Sequence, residues 1–365
     1  MPLGFAEDDS RARIEEMISG KKKFNFCPSY SCDHFVASMT RLPKVFLTRE
    51  LPPESMAILQ EHSVLSMNSE DRYLSKEEII AGIQGVDGLL CLLTDTIDDE
   101  ILAANSDLKV VANFAVGFNN IDIEAATRRK IPVTNTPGVL TDTTADMAWA
   151  LLMTAARRVA EGDRFVRTRN WQGWGPLQFL GGDVTGATLG LVGLGRIGKA
   201  MIQRAKGFEM DVIYWNRTRL SAQEETDLGV TYRELDDVMR ESDFVSVHTA
   251  LNAQTRHLIG KHEISLMKST ASIINTARGP IIDEKAMATA LKEGVIASAG
   301  LDVYENEPLL EPELYDLPNA VLAPHLGSGT IGTRTKMGNM AVENCLAVCR
   351  GQRPPNLVNP EVIDG

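Results

Sequence analysis

The sequence predicts an α/β protein made of two doubly wound, mostly parallel sheets joined by long crossing helices. Three observations carry this. Short apolar runs alternate with helical stretches along most of the chain, which is the pattern of βαβ units. A long helical stretch, Thr143 to Trp171, divides that alternation into two series. A second helix, about Ile331 to Cys349, precedes the Pro-rich tail "RPPNLVNPEV".

The chain has 365 residues, room for two ordinary domains. Its 44% apolar and 24% charged content fits a globular protein with a sizeable core. The net charge of −12 argues against nucleic acid as a partner, because such partners select basic faces. No apolar run approaches the roughly 18 residues that a membrane helix needs. The start, "MPLGFAEDDSRARIEE", lacks the apolar stretch of a secretory leader. Five cysteines, Cys27, Cys32, Cys91, Cys345 and Cys349, form no metal-ligand pattern. Free thiols in a reducing cytoplasm and no metal site are expected.

Residues 1–43 show no clear period and are expected to be a poorly ordered N-terminal extension. From Lys44 the pattern becomes regular. "KVFLT", "VLSMN", "DGLLCLL" and "LKVVANFAV" read as buried strands. Between them lie "PPESMAILQEH", "SKEEIIAGIQG" and "NIDIEAATRRK", which read as helices. The long helix follows, with Thr143 or Thr144 as its expected cap.

The second series begins at "ATLGLVGLG" and continues through "DVIYWN", "DFVSVHT", "ASIINTA", "ASAGLDVY" and "AVLAPHLGS". Its first strand runs into "GLGRIGKA", a G-x-G-x-x-G turn that opens a helix. Gly193 allows the tight turn, Gly195 lets a pyrophosphate approach the backbone, and Gly198 permits close helix–strand packing. Arg196 and Ile197 open the helix, whose N-terminus favours phosphate. A dinucleotide is the expected cofactor.

About twenty residues on, such sites usually place an acid on the adenosine ribose. Here the strand ends in Asn216, Arg217, Thr218 and Arg219. An arginine grips a 2′-phosphate through charge-assisted bonds, and no carboxylate stands here to repel one. NADPH is therefore expected to bind better than NADH, with NADH still possible.

Three later segments place polar residues at strand ends, where open α/β sheets build their sites. They are "INTARGPIID" with Arg278, "GLDVYENEP" with Asp302, Glu305 and Glu307, and "LAPHLGS" with His325. With "VGFNNID", "TADMAWALLM" and "GLGRIGKA", these segments make the chain resemble the D-isomer-specific 2-hydroxyacid dehydrogenases from about Lys44 onward. Within that family it looks most like the glyoxylate and hydroxypyruvate reductases, through "LLTDTID", "WNRTR" and "PPNLVNPEV".

The resemblance implies roles. Arg278 would bind the substrate carboxylate and polarise the keto oxygen, His325 would protonate that oxygen, and Glu307, rather than Glu305, would pair with His325. The backbone of Val116 and Gly117 would cradle the carboxylate. Asp302 would hold the nicotinamide carboxamide, with Thr276 and Ala277 beside it. These residue types suit the chemistry, because hydride attack on a ketone builds negative charge on oxygen. A fixed cation and a proton donor near neutral pH meet that demand.

His248 ends a strand and receives no proton-transfer role. His34, His62, His257 and His262 have no partners in their motifs. Trp171 and Trp174 are expected near the domain junction, with Trp174 beside the active site. "HTALN" lacks a proline that relatives carry, which bears on the adenine wall. Asn119 stands where an Asp is common, and reads as a surface-turn change.

The expected organisation is two Rossmann-like domains, one flavodoxin-like for substrate and one for dinucleotide. Residues 44–142 with 326–353 form the substrate domain, and 143–325 the dinucleotide-binding domain. The expected activity is NAD(P)H-dependent reduction of a small 2-oxo acid by a homodimer. Leu92, Leu93 and Trp174 would set the choice of acid. Rival readings are a 2-ketogluconate reductase, a 3-phosphoglycerate dehydrogenase and a dinucleotide-sensing protein like the co-repressors of this fold.

Overall fold

A computed structural model describes residues 41–364. The expected extension up to residue 40, with Cys27, Cys32 and His34, lies outside the described residues. The first series forms a sheet of β1 (Lys44–Leu47), β2 (Val64–Met67), β3 (Gly88–Leu92), β4 (Val110–Phe114) and β5 (Val133–Thr134). Its order is β2-β1-β3-β4-β5 and every pair is parallel. Parallel strands need crossovers, supplied by α1 (Pro53–His62), α2 (Lys76–Gly82), α3 (Asp99–Ala103) and α4 (Ile123–Arg128). Each of the last three starts where a short polar side chain caps it: Ser75, Asp98 and Asp122 accept the N3 amides of Glu78, Ile101 and Ala125. Strand "VLSM" was expected to be buried, but it is the sheet edge, and Val64 is 54% exposed.

The long helix is two helices. α5 (Thr141–Ala156) ends at Arg157, and α6 (Val159–Arg167) starts after Arg158, which sits in the left-handed region at φ 53°. A later segment passes over the break: the Gly182 amide donates to the Ala156 carbonyl at 3.0 Å. The Arg158 guanidinium meanwhile grips Glu161 at 2.8 and 2.7 Å. Neither Thr143 nor Thr144 caps α5, because both lie inside its first turn and Leu140 precedes it. The Thr143 hydroxyl instead bonds that of Thr333 at 2.6 Å.

The second series forms a seven-stranded parallel sheet in the order β12-β11-β10-β9-β6-β7-β8. Its elements are β6 (Thr188–Val192), α7 (Arg196–Lys206), β7 (Asp211–Trp215), α8 (Ala222–Leu228), β8 (Thr231–Tyr232), α9 (Leu235–Glu241) and β9 (Phe244–Val247). Then come α10 (Lys261–Leu266), β10 (Ser272–Asn275), α11 (Glu284–Glu293), β11 (Ser298–Leu301) and β12 (Ala320–Leu322). β9, β10 and β11 are buried along their whole length, as helices on both faces require.

Two long helices seal the cores. α5 lays Ala148, Leu151 and Leu152 against the seven-stranded sheet, where Gly300 lets β11 approach: a Cβ there would sit 2.9 Å from that of Leu151. α12 (Ile331–Cys349) buries Ala341, Val342, Cys345 and Leu346 on the five-stranded sheet. A short α13 (Glu361–Asp364) follows. Cys91, Cys345 and Cys349 are free thiols. Among the described residues no helix is long and apolar enough to cross a membrane.

Candidate active site

Both sheets reverse their strand order, between β1 and β3 in one and between β6 and β9 in the other. Such switch points open crevices at the carboxyl ends of strands. Residues from those ends line one cavity of about 310 Å³: Leu93 after β3, Gly117 after β4, His248 after β9, Arg278 after β10, Asp302 after β11 and His325 after β12. Val116, Ile197, Thr276 and Ala277 also line it.

The three glycines of the turn are constrained differently. Gly193 has φ +97°, and a Cβ there would lie 2.7 Å from the Thr249 amide nitrogen. A Cβ on Gly198 would lie 2.4 Å from the Gly193 carbonyl oxygen, so helix and turn pack too closely for any side chain. Gly195, the residue before α7, has nothing within 4 Å of a Cβ position. Its backbone thus faces open space at a helix N-terminus, flanked by exposed Arg196. The Thr276 hydroxyl lines the same cavity, buried and without a hydrogen-bond partner. A buried donor with no partner, and an open approach to helix amides, fit a bound dinucleotide.

At the end of β7, Asn216 is engaged in the turn itself. Its Oδ1 accepts the Leu194 amide at 3.4 Å, and its Nδ2 donates to the Thr218 carbonyl at 2.8 Å. Arg219 is held: it donates twice to Glu225, at 2.8 and 2.9 Å, and lies over the Tyr232 ring. The bonds from Arg219, and from the Tyr214 hydroxyl, pull the Glu225 carboxyl down to about 2. Arg217 is exposed and makes one long bond, 3.4 Å, to the neutral Gln254.

Arg278 is partly buried, and burial works against its charge. It donates through Nε to Asn119 Oδ1 at 3.0 Å and through Nη1 to the Ala277 carbonyl at 2.8 Å. Both acceptors are neutral, and among the described residues no carboxylate pairs with it within 4.0 Å. Gly117 makes room for it, since a Cβ there would lie 2.0 Å from Nη2. Asn119 is an exposed turn residue, as expected, but it also lines the cavity and bonds the guanidinium.

His325 donates from Nδ1 to Glu307 Oε2 at 2.9 Å. That bond assigns the proton to Nδ1 and leaves Nε2 for chemistry. Glu307 Oε1 accepts the Tyr304 amide at 3.0 Å. Burial alone would raise the Glu307 carboxyl, but the bond and charge of His325, with the Tyr304 amide and Arg278, hold it below its usual value.

His325 is left-handed at φ 55°, a strained backbone that surrounding bonds must hold. Asp302 supplies them. Its carbonyl accepts the His325 amide at 3.0 Å, and its carboxylate accepts the amides of Leu326 and Gly327 at 2.6 and 2.7 Å. Burial raises the Asp302 carboxyl, which those amides and the nearby His325 partly offset. Asp302 thus builds the His325 loop, a task that its motif did not reveal.

Glu305 faces elsewhere, bonded to Arg256 and His257 at 2.7 and 2.8 Å. Reasoning from sequence missed Glu284. It is 5% exposed, and it accepts the amides of Glu305 and Glu311, at 2.6 and 2.5 Å, bracketing the loop of Glu307.

Other expectations change. His257 and His262 find partners only outside their motifs, Glu305 and Asp236. His262, Asp236 and Glu263 bring ligand atoms together, but Arg240 bonds Asp236 and the Gly260 amide bonds Glu263. His248 is partly buried, and desolvation pushes it down to about 3, so it is neutral and bonded to Ser246 at 2.8 Å. Trp171 and Trp174 do not pack at a junction: they are 53% and 85% exposed, and neither lines the cavity.

Known proteins resemble this chain in sequence and fold. The family described as D-isomer specific 2-hydroxyacid dehydrogenase, NAD binding domain, matches residues 149–327. A glyoxylate reductase of Korarchaeum cryptofilum is 50% identical over 323 residues, 88% of this chain and 97% of its own. One of Thermococcus kodakarensis is 47% identical over 325 residues, again 88% and 97%. Among solved structures, an NADPH-dependent glyoxylate/hydroxypyruvate reductase from Sinorhizobium meliloti, in complex with NADP and malonate, aligns with TM-score 0.77 at 31% identity, covering 88% of this chain and 98% of that one. A glyoxylate reductase from Paecilomyes thermophila aligns with TM-score 0.78 at 33% identity, covering 88% and 99%.

Proposed function

The chain belongs to the D-isomer-specific 2-hydroxyacid dehydrogenase family, and from that premise we propose that it reduces glyoxylate to glycolate or hydroxypyruvate to D-glycerate, with NADPH preferred over NADH. Arg278, lacking a directly bonded carboxylate, shares one cavity with His325, which Glu307 holds from outside the lining, and this carries the reading. The five-stranded sheet with α12 forms the substrate side, and the seven-stranded sheet with α5 the cofactor side.

When bound, the nicotinamide supplies a hydride to the keto carbon. Gly195 and the amides of α7 hold the pyrophosphate, and Thr276 and Ala277 border the nicotinamide. Arg217 meets the 2′-phosphate, in a turn without a carboxylate to repel it. Arg278 and the Val116–Gly117 backbone grip the substrate carboxylate and fix the keto group. His325, held by Glu307, gives a proton from Nε2 to the keto oxygen as negative charge builds there. Glu307 keeps the imidazole oriented through its bond to Nδ1.

The protein works as a homodimer in the cytoplasm. Helix α6 buries none of its residues, and Val159, Val166, Trp174 and Leu177 around it are exposed, a face that a second copy would cover. The free thiols fit a reducing compartment. The test is chiral analysis of the hydroxypyruvate product beside glycolate formation from glyoxylate: glycerate formed is expected to be D, and L-glycerate, or no product from either acid, overturns the proposal.

A further inference from the structure

We propose that Glu284 is a positioning residue for the reaction: its carboxylate closes the loop that carries Glu307, and so fixes where Glu307 holds His325. The inference rests on the reading that the His325–Glu307 pair delivers the proton.

The loop runs from Tyr304 to Glu311, with Glu307 near its middle. Within it the Leu309 amide donates to the Asn306 carbonyl at 2.9 Å, which turns the chain around Glu307. The Tyr304 amide donates to Glu307 Oε1 at 3.0 Å, and Glu307 Oε2 accepts from His325 Nδ1 at 2.9 Å. Where that second oxygen sits therefore depends on where the loop sits.

Glu284 holds the loop on both sides of Glu307. Its Oε2 accepts the Glu305 amide at 2.6 Å, and its Oε1 accepts the Glu311 amide at 2.5 Å. The residue is 5% exposed and stands in the first turn of α11, where a helix N-terminus favours a carboxylate. A solvated acid gains little from such bonds, but a buried one has given up its hydration and needs both.

The same segment carries Arg278. Gly279, next to it, packs directly on the loop, since a Cβ there would overlap the Tyr304 carbonyl and the Glu305 nitrogen. Tyr304 is buried and donates its hydroxyl to the Ala323 carbonyl at 2.9 Å, just before His325. The stretch from Arg278 to Glu284 thus sets one register between the guanidinium and the Glu307 loop, and Tyr304 ties that loop to the strand end of His325. Glu305 turns its side chain away to Arg256 and His257, so only its amide serves the clamp.

Loosening the clamp frees Glu307 to drift from Nδ1 while Arg278 and the glycine-rich turn keep their places. Proton transfer then suffers more than binding does.

Glu284→Gln tests this at constant shape: a carboxamide keeps one oxygen and turns an NH₂ group toward the other amide, so one side of the loop loses its acceptor. Glu284→Asp keeps the charge on a shorter stem and is the milder variant should the first fail to fold. For each, kcat, the glyoxylate KM and the NADPH Kd are measured in the wild-type and Glu307→Gln backgrounds. Glu284→Gln should lower kcat by at least about tenfold, with KM and Kd kept within about twofold. Glu284→Asp should lower kcat by a smaller factor in the same pattern. In the Glu307→Gln background neither change should lower kcat further by more than about twofold, because no carboxylate is left to place. An unchanged kcat, a loss by the same factor in both backgrounds, or a loss of NADPH affinity in step with kcat overturns the inference. Glu307→Gln alone separates the two levels: an unchanged kcat there overturns the role of the pair and this inference with it, whereas a lowered kcat there with a silent Glu284→Gln overturns only the role of Glu284.

Discussion

Nδ1 of His325 lies 2.9 Å from Oε2 of Glu307, and the carboxylate of Asp302 bonds the two amides that follow the histidine. The histidine is thereby fixed in tautomer and direction, and its free nitrogen is left for the substrate. His325→Gln should lower kcat by about 10²–10⁴-fold with NADPH affinity kept. Retained kcat would remove His325 as the proton donor.

The same pair gives a pH dependence of stability. Glu307 titrates below its ordinary value in the folded chain. Its ionised form therefore stabilises the fold at pH above the unfolded carboxylate range, about 4.3, and that contribution disappears as pH falls through the lower folded value. The difference in melting temperature between wild type and Glu307→Gln should be full at neutral pH and shrink below about pH 4. A difference that grew on acidification would contradict the pairing.

Gly117→Ala should separate activity from folding. The added methyl would meet only the far end of Arg278, at 2.0 Å, so the side chain moves rather than the backbone. We expect a melting temperature close to wild type and a kcat/KM lowered by about 10²-fold. Full activity would mean that Arg278 does not need its place.

Gly193 and Gly195 should respond in opposite ways. Gly193→Ala forces a positive φ and a backbone clash at 2.7 Å, and should cost about 1–3 kcal/mol of stability or more. Gly195→Ala meets open space and should fold normally, yet weaken NADPH, because the methyl occupies the approach to the helix amides. Undiminished NADPH binding in Gly195→Ala would place the pyrophosphate elsewhere.

Arg217 and Arg219 should respond differently to removal. Arg217→Ala should weaken NADPH by about tenfold or more and NADH little. Arg219→Ala strands the Glu225 carboxylate and should lower thermal stability before it changes cofactor choice. Equal losses for both cofactors in Arg217→Ala would remove the phosphate clamp.

Much of this was legible in the sequence because the signals are local. The glycine spacing of 193–198 marks a strand, turn and helix within one short stretch, and α12 follows its apolar pattern from Ile331 to Cys349. Strands β5 and β8 escaped because two residues carry no period. The break at Arg158 escaped because a non-glycine left-handed residue leaves no compositional mark, and the carbonyl that it frees is bonded by Gly182, much further along the chain. Asn119 and Glu284 escaped for the same reason: each acts on a partner that only the tertiary fold brings near.

The most direct measurement is initial-rate kcat/KM for glyoxylate and for hydroxypyruvate, each with NADPH and with NADH. The account predicts turnover of at least one of the two acids, with NADPH favoured by about tenfold or more. Equal or better rates with NADH would contradict the role given to Arg217, and no turnover of either acid with either cofactor would contradict the proposed activity itself.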